Sequence, residues 1–238
     1  MKGPGASVAE NIKNLQASAA AACRRAGRDA AEVRIVYVTK TVGEEKVREA
    51  AAAGARDFGE NRVQELCQKE AALKEEQARL GFRWHMIGHL QTNKVKDVAG
   101  KTELIHSLDR SELAEALEKQ AAAKGLSKID CLIQVNTSAE ASKFGLAPVE
   151  VDAFVSKLKL TAVHLRGLMT IGPLTEDREK IRQAFRLLRL LRDDLQKKFP
   201  LHSWSELSMG MSGDYEIAIE EGATLIRVGT AVFGERGK

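Results

Sequence analysis

Several classes of protein are excluded by what this sequence lacks. Its three cysteines, Cys23, Cys67 and Cys131, lie far apart with no CxxC pair. That pattern argues against a disulfide framework or a zinc ribbon and fits a reducing compartment. No segment approaches the roughly 18 consecutive apolar residues of a membrane-crossing helix. The Ala19–Ala22 run is too short, and its surroundings too polar, for the apolar core of a secretion signal. An excess of one charge is also missing: 37 Lys+Arg against 33 Asp+Glu leave a net charge of only +4, spread along the chain. Nucleic-acid binders usually cluster their basic residues, so no nucleic acid is expected as a partner. There is no Pro-, Gly- or Ser-rich linker and no shift in composition, so residues 1–238 read as one domain. What remains is a chain of 44% apolar and 29% charged residues, ordinary for a folded protein and long enough to bury a large core. It reads as soluble and cytoplasmic.

The chain is organised as an alternation. Ser7 is placed to cap a first helix that Gly27 ends. Short β-branched or apolar runs follow at Val33–Val38, Arg56–Phe58, Phe82–Ile87, Glu103–His106, Cys131–Val135, His164–Leu168, Glu206–Ser208 and Leu225–Val228. Helical patterns separate most of them, over Glu44–Ala53, Asn61–Ala78, Ser111–Lys124, Val149–Leu158, Glu176–Lys198 and Tyr215–Glu221, with a shorter one near Asn93–Ala99. Parallel neighbours need crossovers long enough to hold a helix, so the alternation implies a parallel sheet. Eight such strands in 238 residues match a single-domain (β/α)8 TIM barrel with an extra N-terminal helix. A doubly wound open sheet is the rival, but the first strand runs into Val38-Thr39-Lys40-Thr41 with no GxGxxG.

In a barrel, functional groups sit at the C-terminal strand ends. Lys40 follows the first strand, where partial desolvation would lower the pKa of its amine and suit it to a Schiff base; a strand-end lysine reaching water is the alternative. Ser208-Met209-Gly210-Met211-Ser212-Gly213-Asp214 after strand seven and Gly229-Thr230 after strand eight place small residues where barrels often bind phosphate. Tight turns explain the same residues. Arg227 lies inside the last strand, where a charge needs a ligand or a buried partner. His85 and His89 are four apart, but Gly88 intervenes and no HExxH frame surrounds them, so no metal site is expected. On the Glu176–Lys198 helix, Arg182, Arg186 and Arg189 form either an anion-binding surface or a solvated outer face.

The segments VTKT (38–41), FGENRVQE (58–65), RWHMIGHLQTNK (83–94), QVNTSAEASKFG (134–145), RGLMTIGP (166–173), LSMGMSGDYEIAIEEG (207–222) and RVGTAVFG (227–234) together resemble the pyridoxal phosphate homeostasis proteins, single-domain members of the alanine racemase N-terminal barrel group. The likeness spans nearly the whole chain, with Thr39 in place of a common serine and Gly43 in place of a frequent proline. It implies that Lys40 holds pyridoxal 5′-phosphate as a Schiff base. It also implies that the phosphate lies among Ser208, the Met209–Ser212 backbone including Gly210 and Met211, Gly229 and Thr230. Arg227 would face the pyridine nitrogen, with Asn61, His85 and Met169 around the cofactor. An arginine donates a hydrogen bond but keeps its proton, leaving the ring a weak electron sink.

Racemases of this group add a second domain that supplies an opposing tyrosine base. This chain ends four residues after Gly234 and offers only Tyr37 and Tyr215. The expectation is therefore a non-catalytic, monomeric carrier of pyridoxal phosphate in vitamin B6 homeostasis, with apo-enzymes that use the cofactor as partners. A monomeric amino-acid racemase and a cofactor-free Schiff-base aldolase are the alternatives.

Overall fold

Eight short parallel strands close on themselves, each strand bonded to its neighbours in chain order and the last bonded to the first. The structure is a computed structural model and describes residues 7–138, 140 and 143–234. Ala139, Ala141 and Ser142, within the 134–145 motif, lie outside the described residues. The strands are β1 (Arg34–Val38), β2 (Asp57–Glu60), β3 (Arg83–Met86), β4 (Leu104–Leu108), β5 (Ile129–Gln134), β6 (Val163–Met169), β7 (Glu206–Ser208) and β8 (Leu225–Val228). Closure runs through β1 against β8, with Val36 opposite Arg227, while β1 pairs with β2 on its other side. The predicted barrel and its strand positions stand.

The helices are α1 (Val8–Arg25), α2 (Glu44–Ala52), α3 (Val63–Ala72), α4 (Lys74–Leu80), α5 (Val95–Val98), α6 (Ser111–Lys124), α7 (Val151–Lys157), α8 (Arg178–Lys198), α9 (Tyr215–Glu220) and α10 (Thr230–Phe233). The expected single helix over Asn61–Ala78 is two, broken at Leu73 (φ −113°, ψ 17°). Leu73 is fully buried, and turning it into the core outweighs continuing one helix.

α1 completes the outer layer. Among the described residues, β8 is followed by the single turn of α10, too short to cover a strand. α1 packs instead against α9, α10 and α2. Ser7 caps it as expected, its hydroxyl accepting from the Glu10 amide. Its buried stripe, Val8, Ile12, Leu15, Ala19, Ala22 and Cys23, repeats at helical spacing. The alternation of the strands sorts side chains into two regions. Tyr37, Phe58, Trp84 and Ile133 point out into the large core between sheet and helices. Val36, Leu104, Leu132, Met169 and Leu225 form a separate small cluster inside the barrel. The arginines of α8 lie on a solvated outer face and are paired there: Arg182, Arg186 and Arg189 converge on the buried Glu221 at 3.0–3.3 Å.

Candidate functional site

β1 stops at Val38, and the bond from Val42 N–H to Thr39 O (2.9 Å) closes a turn around Lys40 and Thr41. Thr41 adopts φ +62°, rare for a β-branched residue. Its amide donates to Glu65 Oε2 at 2.8 Å. Beneath the turn lies a buried polar knot. Thr39 Oγ1 and Lys69 Nζ both donate to Glu60 Oε1 at 2.6 Å, and Lys69 also reaches Thr39 O at 2.6 Å. Burial pushes the Glu60 carboxyl up; the Lys69 and Thr39 hydrogen bonds pull it back without cancelling the rise. Glu60 Oε2 is buried without a hydrogen bond. Lys40, half-buried, shares a cavity of about 150 Å³ with Gly229, Thr230, Val38, Val42 and Lys46.

Across the closure, β7 ends at Ser208 and the chain loops to α9. Met211 N–H donates to Asp214 Oδ1 and Tyr215 N–H to Met211 O at 2.9 Å, so the loop folds back on the helix start. Gly210 (φ +92°) is required there: a Cβ would stand 2.5 Å from Ala218 Cβ and 2.9 Å from Tyr215 Cα. The Thr230 hydroxyl donates to Ser212 Oγ at 3.0 Å, joining the two small-residue loops. The methionines between diverge. Met209 is buried in the outer core, whereas Met211 is 40% exposed and lines a separate groove of about 430 Å³ with Ile171, Leu174 and Asp214. At these two positions only the backbone belongs to the loop's inner edge.

Arg227 is 5% exposed and donates through Nη1 to Ser208 Oγ at 2.6 Å and through Nη2 to Thr170 O at 2.8 Å. Burial lowers its pKa to about 10, partly offset by Asp214, and it remains charged at neutral pH. Ser208 Oγ also lies 2.9 Å from His106 Nδ1; His106 Nε2 lies 3.0 Å from His85 Nδ1, and His85 Nε2 is 2.9 Å from Asp57 Oδ1. His85, His106 and Ser208 are all fully buried. The Ser208 hydroxyl is thus committed to Arg227 and His106, apart from the Ser212–Thr230 pair with which the motif grouped it. Met169 sits in the apolar cluster inside the barrel. Asn61, half-buried after β2, packs its backbone so closely on Gly88 that a Cβ there would meet Asn61 O at 2.2 Å.

Asp57, Lys69 and His106 were not picked out from the sequence. His106 was the legible one: a histidine two residues after Leu104, on the inward face of a buried strand, needs a partner as much as Arg227 does. His89 lies apart from His85, stacked on Phe144 with centroids 4.3 Å apart and 3.4 Å from Asp109. Among the described residues no group of three or more His, Cys, Asp or Glu could hold a metal ion.

The profile of the alanine racemase N-terminal domain matches residues 8–237. A pyridoxal phosphate homeostasis protein of Aquifex aeolicus is 47% identical over 216 residues, covering 90% of this chain and 92% of its own. This chain belongs to that family. Another pyridoxal phosphate homeostasis protein, from Pseudomonas aeruginosa, is 45% identical over 230 residues, 96% of each chain. Among solved structures, the Synechococcus elongatus family member PipY with PLP bound superposes with a TM-score of 0.83 at 35% identity, covering 96% of this chain and all of that one. In the present chain, the lysine turn and the two small-residue loops meet at one barrel mouth.

The residues present fit such a cofactor chemically. A half-buried amine, two hydroxyls on glycine-bearing loops and a buried guanidinium match an aldehyde, a phosphate and a ring nitrogen. Among the described residues no helix is long and apolar enough to cross a membrane.

Proposed function

We propose that this chain binds pyridoxal 5′-phosphate and acts in intracellular cofactor homeostasis as a carrier rather than a catalyst. The observation that carries the reading is Arg227, a buried cation fixed by Ser208 and Thr170 on the strand beside the Lys40 turn. When bound, the cofactor supplies an aldehyde carbon with which the Lys40 amine forms a C=N bond, releasing one water. Ser212, Thr230 and the backbone at Met209–Ser212 and Gly229 hold the phosphate, while Ser208 serves Arg227 instead. Met169, with Val36, Leu104, Leu132 and Leu225, provides the apolar floor.

The placement of the tyrosines supports a non-catalytic role. Tyr37 points away from the barrel interior, is 3% exposed and accepts from Gln16 on α1 at 3.5 Å. Tyr215 is held at the start of α9, packed against the outer core. Neither stands opposite Lys40 as a second base, so the protein binds and releases the cofactor without the acid–base pair that racemisation requires. The reading includes one domain over the chain, a monomer in the cytoplasm, and handover to apo-enzymes that use the cofactor.

The test is the visible spectrum of the protein with pyridoxal phosphate, then borohydride reduction and peptide mapping. A yellow protein with the reduced adduct on Lys40, and no exchange of amino-acid α-protons with solvent, is expected. A colourless, unmodified protein overturns cofactor binding. Steady α-proton exchange abolished by Lys40→Ala overturns the carrier role in favour of a racemase.

A further inference from the structure

The contacts from Arg227 to Asp57 form one unbroken chain with a pure donor at one end and a pure acceptor at the other. A guanidinium only donates, so Ser208 Oγ accepts from Arg227 Nη1. The Ser208 proton then points to His106 Nδ1, which accepts it. With the Ser208 proton on His106 Nδ1, His106 carries its own proton on Nε2 and gives that hydrogen bond to His85 Nδ1. His85, accepting on Nδ1, is protonated on Nε2 and donates to Asp57 Oδ1. The Asp57 carboxylate only accepts. Burial pushes its pKa up, but the hydrogen bonds from His85 and Arg83 and the positive charge around it more than reverse this, keeping it ionised.

With one ring proton on each histidine every member is satisfied in this direction; the competing arrangement, with His106 donating from Nδ1 to a Ser208 oxygen that accepts twice and His85 donating from both ring nitrogens, is the one that the histidine tautomers distinguish. His106 is faced by Arg227 from β8, Arg34 from β1 and His85 from β3; burial first, and then the positive charge around it, hold its pKa well below the ordinary histidine value. The far end is anchored too, because Arg83 Nη2 lies 2.8 Å and Arg34 Nη1 4.0 Å from Asp57 Oδ1.

We propose that Asp57, His85 and His106 are positioning residues for the cofactor's ring-nitrogen partner: a one-way hydrogen-bond chain across the barrel interior fixes the Ser208 proton and, through it, the guanidinium of Arg227. The inference rests on the cofactor reading only for what Arg227 meets. In a half-satisfied buried network the arginine would swing or lose donors, so the whole chain is needed to present it in one orientation. Asp57 acts from beyond the reach of the cofactor mouth, through three intervening side chains.

Two measurements test it. In the cofactor-free protein labelled with ¹⁵N-histidine, long-range ¹H–¹⁵N spectra across about pH 6–8 are expected to show both His85 and His106 as Nε2–H tautomers. A His106 protonated on Nδ1, or cationic in that range, overturns the chain's direction whether or not the cofactor binds. In the second, Ser208→Ala and Asp57→Asn are titrated with pyridoxal phosphate and followed by its visible absorption. Ser208→Ala is expected to weaken binding about tenfold, the effect of one lost charge-assisted hydrogen bond, and to shift the band's pH dependence. Ser208→Thr, which keeps the hydroxyl, is expected to restore both. Asp57→Asn is expected to move the same band by a smaller amount while the protein stays folded by far-ultraviolet circular dichroism. Unchanged affinity and spectrum in Ser208→Ala and Asp57→Asn overturn the positioning role. Wild-type protein that binds no pyridoxal phosphate overturns the cofactor reading, and the tautomer result then stands alone.

Discussion

Two buried polar systems stand beneath the Lys40 turn and beside Arg227, and they are built on different principles. Under the Lys40 turn, Glu60 and Lys69 form a compact ion pair at 2.6 Å between sheet and helix, with one carboxylate oxygen left without a hydrogen bond. Under Arg227, the opposite charges stand far apart, joined through a serine and two histidines with each link made. The compact pair concentrates its desolvation cost in two charged groups, helped only by Thr39. The extended chain spreads the cost over several side chains between a donor end and an acceptor end. The ion pair therefore fixes a backbone turn, and the chain fixes a side chain's orientation.

That contrast breaks most visibly at Lys69. Lys69→Met leaves Glu60 buried and unpaired and is expected to cost about 3–5 kcal/mol in denaturant unfolding. Adding Glu60→Leu should return most of it, and a double variant as unstable as the single one would mean the pair is not the brace. A smaller effect is expected on the Arg227 side. Gly210→Ala forces a Cβ onto Ala218 and Tyr215 at a positive φ, and a loss of about 1–3 kcal/mol with weakened pyridoxal phosphate binding should follow.

The histidine chain is sharpened by pH. His106 is neutral when folded and has its pKa held well below its unfolded value. The unfolded chain therefore binds more protons as pH falls below about 6.5, and stability declines with falling pH by up to about 1.4 kcal/mol per unit. His106→Asn should flatten that part of the urea-stability profile, whereas an unchanged slope would place the titration elsewhere. The smallest effect belongs to Thr41→Gly, which relieves the left-handed backbone but loosens the unfolded chain. A change under about 1 kcal/mol is expected, together with slower capture of pyridoxal phosphate by Lys40 in stopped-flow absorbance if the strained turn aims the amine.

Most of the fold was legible because the strands announce themselves. β-branched runs at regular intervals, with helical spacing between them, have few solutions other than the barrel. The break at Leu73 was not legible, since a leucine in a helical pattern carries no local sign that the core will claim it. At the site, Lys40, Gly229, Thr230 and Arg227 stood at strand ends where chemistry is expected. Met209 and Met211 read alike in the motif, yet one is buried in the outer core and the other lines a different groove. Ser208 looked like one more small residue of an anion loop, and its partners lie on β4 and β8, far away in sequence.

Local periodicity and the order of the motifs are properties of the chain itself, and they determine the eight-stranded barrel, its family and the residue types gathered at its mouth. Which of those residues touch is another matter. Hydrogen bonds between Asp57, His85, His106, Ser208 and Arg227 exist only because closing the sheet brings five strands around one narrow interior. Exclusion of water from that space makes every unpaired donor costly. The tertiary structure alone therefore decides which donor meets which acceptor, and which way the protons point.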